Sequence, residues 1–172
     1  MQSQTTTTIE ISKEYLHFGA AHFTIFDANT REDLHGHNFH VTVHATAAIR
    51  DDGITFDYNI LKNLTKQFCD ELDEQVLMPT RSPHLAIDEQ PDYTYVVFGE
   101  ERIPFLARDL TLLPIRNVTV EELAEYLLQK LLNHPEIQSL EIKELHLRCA
   151  SGVDQWARAS WASSPAEEGA RK

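Results

Sequence analysis

From His37 to Ile49 the chain alternates in polarity, with His37, Phe39, Val41 and Val43 on one side and Asn38, His40, Thr42 and His44 on the other. A period of two residues fits a half-buried strand and not a helix. The other segments read around it. Residues 9–26 mix Ile, Tyr, Phe and Thr with polar residues, as one strand with an irregularity that becomes ordered near Thr8 or Ile9. Residues 27–33 have turn chemistry. Asp57 stands at an N-cap position, and Ile60, Leu61, Leu64, Phe68, Leu72 and Val76 recur at helical spacing. Pro79, Pro83 and Pro91 mark an irregular connector, and Tyr93–Phe98 with Arg102–Leu106 form a hairpin about Gly99. Thr119 and Glu122 have the spacing of a capping box for a helix that ends near His134 and Pro135. Leu140–Cys149 and Val153–Trp161 are two closing strands. The order is strand, strand, helix, hairpin, helix, strand, strand, an α+β pattern.

At 172 residues the chain is one domain large enough to bury a core without staples. Its core spans residues 8–162, and residues 163–172 read as a disordered tail. A net charge of -12 with no basic cluster excludes nucleic acid as the main partner. No apolar run approaches the roughly 20 residues of a membrane span. The N-terminus has neither a basic start nor an apolar core, and Cys69 and Cys149 are too few for a disulfide scaffold. The expectation is a cytoplasmic protein.

His35-Gly36-His37, with His22 thirteen residues before His35, is the pattern that points to chemistry. Two histidines at i and i+2 of a strand face one way, and a third imidazole from a neighbouring strand completes a three-nitrogen set. Such a set binds catalytic zinc with one position open. The spacing alone leaves two readings, ligands or packed structural histidines. Glu32, like Asp33 a turn former by default, becomes a proton-transfer group if a metal sits beside it. Asp73 and Glu74, near the end of the first helix, form a second candidate proton-handling pair. A phosphate-binding glycine loop, a Gly-x-Ser-x-Gly elbow and a Cys-x-x-Cys pair are all absent.

Phe18-Gly19-Ala20-Ala21-His22, Leu34-His35-Gly36-His37-Asn38-Phe39, Asp57-Tyr58-Asn59-Ile60-Leu61-Lys62, Leu72-Asp73 and Asn117-Val118-Thr119-Val120-Glu121-Glu122-Leu123-Ala124 occur in this order. Together they resemble the 6-pyruvoyl-tetrahydropterin synthase and 6-carboxytetrahydropterin synthase family over residues 8–162, with 79–115 as an insertion. The resemblance implies a tunnelling fold: an antiparallel sheet with two helices on one face, which oligomerises into a β-barrel as a homotrimer or homohexamer. It implies Zn2+ held by His22, His35 and His37, and a lyase acting on a dihydropterin such as dihydroneopterin triphosphate. Arg31 stands where the family usually has a cysteine base. Glu32 fits the variant pattern Glu-x-x-His-Gly-His, in which glutamate is the base. Asp73-Glu74 replaces the usual Asp-His pair. Thr119 and Cys149 fall at substrate-binding positions, Cys149 where a glutamate normally anchors the pterin ring. Two further readings stay open: a zinc-binding paralogue with another substrate, and a non-catalytic tunnelling-fold subunit.

Overall fold

A computed structural model describes residues 5–164 of the chain. Its elements are β1 (Thr6–Ile11), β2 (His17–His22), β3 (His35–Ala48), α1 (Tyr58–Asp70), β4 (Gln75–Pro79), β5 (Leu85–Glu89), β6 (Thr94–Phe98), β7 (Glu101–Phe105), β8 (Leu110–Leu113), α2 (Val120–Leu132), α3 (Pro135–Gln138), β9 (Ile142–Ala150) and β10 (Trp156–Ala162). The fourteen-residue β3 organises the main sheet. On one edge it pairs antiparallel with β2 over its first half and with β1 over its second; on the other it pairs with β9. The path runs β10-β9-β3-β2-β4-β8, with β1 beside β3.

The sheet is mixed, which corrects the antiparallel expectation. β4 runs parallel to β2, and β8 runs parallel to β4. Parallel neighbours need a crossover. For β4 and β8 the crossover contains a second antiparallel sheet, β5-β6-β7. The expected hairpin is β6 and β7, joined by β5 as a third strand.

Three boundaries also move. The stretch expected as one irregular strand is two, β1 and β2, and β1 starts at Thr6. Helix α1 stops at Asp70, so Leu72 and Val76 lie beyond it although they keep its spacing. Val153 is exposed outside a strand, and β10 starts at Trp156. The expectation of a disordered tail falls mostly on residues 165–172, outside those described.

The alternation read in β3 becomes its burial pattern. Phe39, Val41, Val43, Ala45 and Ala47 join Leu145, Leu147 and Cys149 of β9 in a core that α1 and α2 cover with Leu61, Leu64, Phe68, Leu123, Leu127 and Leu131. Each large side chain fully buried there contributes about 1.5–3 kcal/mol. A second cluster, Phe23, Ile25, Met78, Val96 and Phe98, packs the small sheet against β4 and β8. The segment from Phe23 to Leu34, between β2 and β3, therefore belongs partly to the second core.

Candidate metal centre

Strand register assembles the three histidines. His22, the last residue of β2, pairs directly with His35, the first of β3, and His37 lies two residues on, opposite Ala20. Antiparallel partners and i+2 neighbours share a face, and here it is the face of Phe39. The ring centroids of His22 and His37 each lie 5.6 Å from that of Phe39. Gly36 points the other way, where a Cβ would meet the Ala20 carbonyl at 3.3 Å. Glycine between the histidines therefore permits close strand approach.

One ligating atom from each of His22, His35 and His37 lies within 4.8 Å of the others. Nε2 of His35 is 3.0 Å from Nε2 of His37. Nitrogens on a tetrahedral zinc, each roughly 2.0–2.1 Å from it, stand about 3.4 Å apart, so this pair needs only a small opening. His35 Nδ1 donates to the Asp33 carbonyl at 2.8 Å, which places the proton there and leaves the Nε2 lone pair facing the cluster. His22 is 5% exposed, and neither ring nitrogen has a hydrogen-bond partner. Burial, then His35 and His37, push its pKa down to about 4, against weaker raising by the Val118 backbone, which comes near the ring without reaching hydrogen-bond geometry, and by Glu32. A buried, neutral, unpartnered imidazole is costly in a core and apt as a ligand. The donor set fits a zinc-type ion.

Glu32 stands beside this cluster. Its Oε2 is 3.9 Å from His35 Nε2 and accepts the Thr24 N–H at 2.9 Å. Burial pushes its pKa up, but the bonds from Thr24 and the proximity of His35 and His22 outweigh this and hold it below the ordinary carboxylate range. The group is an ionised carboxylate with one oxygen anchored, a suitable proton acceptor at neutral pH.

The other expected site residues separate. Asp73 accepts the Gly19 N–H at 2.7 Å, and the Glu74 N–H donates to the Gly19 carbonyl at 2.7 Å. Together they staple the segment after α1 onto β2. Both follow the end of α1. Glu74, at φ 58°, is exposed and lines an open cleft of about 440 Å³ with His37, Asn38 and Gln75. Thr119 caps α2, its hydroxyl accepting the Glu122 N–H at 3.4 Å. Cys149 is fully buried in the main core, its thiol pushed far up by burial.

Three residues that sequence reasoning left without a site role hold the segment carrying Glu32. Asn117 gives Nδ2–H to the Ile25 carbonyl at 2.7 Å and accepts the Ile25 N–H at 3.1 Å. The Thr24 carbonyl accepts the Glu32 backbone N–H at 2.9 Å, and the Thr24 N–H donates to the Glu32 carboxylate. Arg31 ties the segment to the small sheet. Asn117 belongs to a motif read before, but its partner is 92 positions away, a separation no local pattern reveals.

The sequence pattern of the family described as 6-pyruvoyl tetrahydropterin synthase matches residues 10–158. A protein of Methanocaldococcus jannaschii named "Putative 6-carboxy-5,6,7,8-tetrahydropterin synthase" is 30% identical over 112 residues, 64% of this chain and 68% of the relative. The crystal structure of 6-pyruvoyl tetrahydropterin synthase from Plasmodium vivax superposes with a TM-score of 0.86 at 26% identity, covering 92% of this chain and 99% of the other. That of Plasmodium falciparum gives 0.85 at 26% identity with the same coverage. Two further Plasmodium vivax structures are variants of that enzyme in which a catalytic glutamate is replaced by cysteine or alanine. With the pattern spanning most of its length and the fold shared, this chain belongs to the 6-pyruvoyl tetrahydropterin synthase family.

Proposed function

We propose that the chain is a zinc-dependent lyase acting on a dihydropterin such as dihydroneopterin triphosphate. The observation that carries this reading is the ionised Glu32 carboxylate 3.9 Å from Nε2 of His35, within a three-imidazole cluster that has a lone pair ready on His35. His22, His35 and His37 hold Zn2+. The ion, when bound, supplies Lewis acidity to a side-chain hydroxyl of the substrate. Glu32 takes the proton from the carbon bearing that hydroxyl, its carboxylate held against turning away by the Thr24 N–H bond to Oε2, the oxygen that faces His35. A glutamate named as catalytic in the Plasmodium vivax relative supports the same role here. Glu74, exposed in the cleft beside His37, is the member of the Asp73–Glu74 pair free to relay a proton, while Asp73 positions β2. Thr119, half-buried at the start of α2, is a substrate contact through its backbone. The active assembly is a homotrimer or homohexamer closed into a β-barrel, in the cytoplasm. Among the described residues no helix is long and apolar enough to cross a membrane.

Purified protein should hold about one zinc per chain. Glu32→Gln should lower turnover of dihydroneopterin triphosphate by about 10²–10⁴-fold with the metal retained. His35→Ala should lose the zinc. Zinc retained by His35→Ala would remove the metal assignment, and wild-type turnover by Glu32→Gln would remove the base.

A second reading rests on Cys149. A carboxylate at the position assigned to the ring anchor would make charge-assisted bonds to an aminopyrimidine edge, worth about 1.5–3 kcal/mol. A thiol sealed in the core makes none. This favours a zinc site of the same build serving another substrate. Absence of turnover on dihydroneopterin triphosphate by the zinc-loaded protein selects it.

A further inference from the structure

Arg31 occupies a junction that the chemistry above does not use. Its Nε and NH2 groups both reach Glu101 Oε2, at 2.8 and 2.5 Å, and its NH1 donates to the Glu32 carbonyl at 2.7 Å. The guanidinium carbon Cζ lies 4.7 Å from the centre of the Phe23 ring and 5.9 Å from that of Phe98. Its side chain is 17% exposed, against 56% for Glu101. Arg31 thus spans from the first residue of β7 to the backbone of the proton-accepting residue, over an aromatic floor from the second core. An arginine suits this place, because a planar fork can serve two acceptors and stack at once, whereas a lysine ammonium cannot.

We propose that Arg31, held by Glu101, is a positioning residue for Glu32, and that the β5-β6-β7 sheet is the buttress through which it acts. This rests on the reading of Glu32 as the base. The Glu32 carboxylate is fixed by Thr24, but the backbone from which it projects is fixed on its far side by Arg31. The isolated bridge between Ile25 and Arg31 closes the segment into a narrow loop, so a shift at Arg31 passes directly to Glu32. Arg31 meets the Glu32 carbonyl, not its carboxylate, and Glu101 matches its charge. Its effect on the base is therefore one of placement.

The test uses full-length zinc-loaded protein with Arg31→Met, Glu101→Gln and the double variant, beside Glu32→Gln. Placement of a reacting group is sensitive to shifts of an ångström, so each single variant should lower kcat on dihydroneopterin triphosphate by about ten- to a hundredfold. KM and zinc content should stay unchanged, and the double variant should fall no further than the worse single. Amide exchange at Thr24 and Glu32, which bond each other, should speed up in both single variants while core amides of β3 keep their rates. Glu101→Gln alters an exposed side chain and keeps the test open if Arg31→Met does not fold. Wild-type exchange at Thr24 and Glu32 in both variants overturns the proposal, as does a kcat loss that adds fully in the double. If Glu32→Gln turns over at the wild-type rate, the reading of the base fails instead, and the exchange rates alone decide whether Arg31 orders this loop.

Discussion

His22 is buried with two ring nitrogens and no partner for either. Leaving a polar group unpaired in a core costs about 1–3 kcal/mol, whereas an apolar replacement of similar shape is close to neutral or stabilising. His22→Leu should therefore leave the metal-free protein at least as stable in urea as the wild type, and abolish zinc binding. A large loss of stability in that metal-free variant would show the imidazole to be structural. Asp73 has the opposite character. Asp73→Ala strips the acceptor from the Gly19 N–H and should cost about 1–2 kcal/mol, read as a shift in the urea midpoint. The roles of these two residues were not equally legible. The His-Gly-His spacing marks its face because strand geometry is local. Asp73 could be read only as an acid near a helix end, since its partner lies 54 positions away.

The elements divide in the same way. Asp57 caps α1 as its sequence position predicts, accepting the Asn59 N–H at 2.9 Å, and Asp57→Ala should cost about 1 kcal/mol in thermal or urea unfolding. The expected capping box of α2 forms only halfway. The Thr119 hydroxyl accepts the Glu122 N–H, but the Glu122 carboxylate turns to the Arg116 N–H at 3.0 Å and to the Arg116 guanidinium. Burial pushes the Glu122 pKa up, and the bonds from Arg116 more than reverse this, so the folded-state value lies below the ordinary 4.5. Its stabilising contribution is complete above about pH 4.5 and is lost as pH falls through the lower folded value. Glu122→Gln should flatten the acid side of the stability profile measured by urea unfolding between pH 5 and 3. Strand β4 was hidden. Its five residues follow a helix whose apolar spacing runs on to Val76, and a short apolar run carries no period that separates strand from helix.

At the scale of the molecule, two cores divide the labour. The larger holds the sheet and its helices; the smaller fixes the segment carrying Glu32 to the inserted sheet. Phe98→Ala in the smaller core should cost about 3–5 kcal/mol and speed amide exchange at Glu32, because it removes part of the floor beneath Arg31. Exchange at Glu32 unchanged in a folded Phe98→Ala protein would separate the two. Among the described residues the path of the seven-stranded sheet ends in β10 and β8, and β1, paired with β3 alone, leaves a further edge. Edges of this kind are normally covered, which agrees with the barrel assembly proposed above and predicts a solution mass that is a multiple of three chains, measurable by light scattering.

The sequence by itself determined which residues alternate, where the helices are capped, and that three histidines and a glutamate lie close enough along the chain to share a site. These follow from periods of two and 3.6 residues and from side-chain bonds spanning a few positions. Only the tertiary structure decided the parallel placement of β4 and β8, the staple from Asp73 to Gly19 and the reach of Arg31 to Glu101. Each joins or encloses segments far apart in the chain, where contact depends on how sheets stack and cross over.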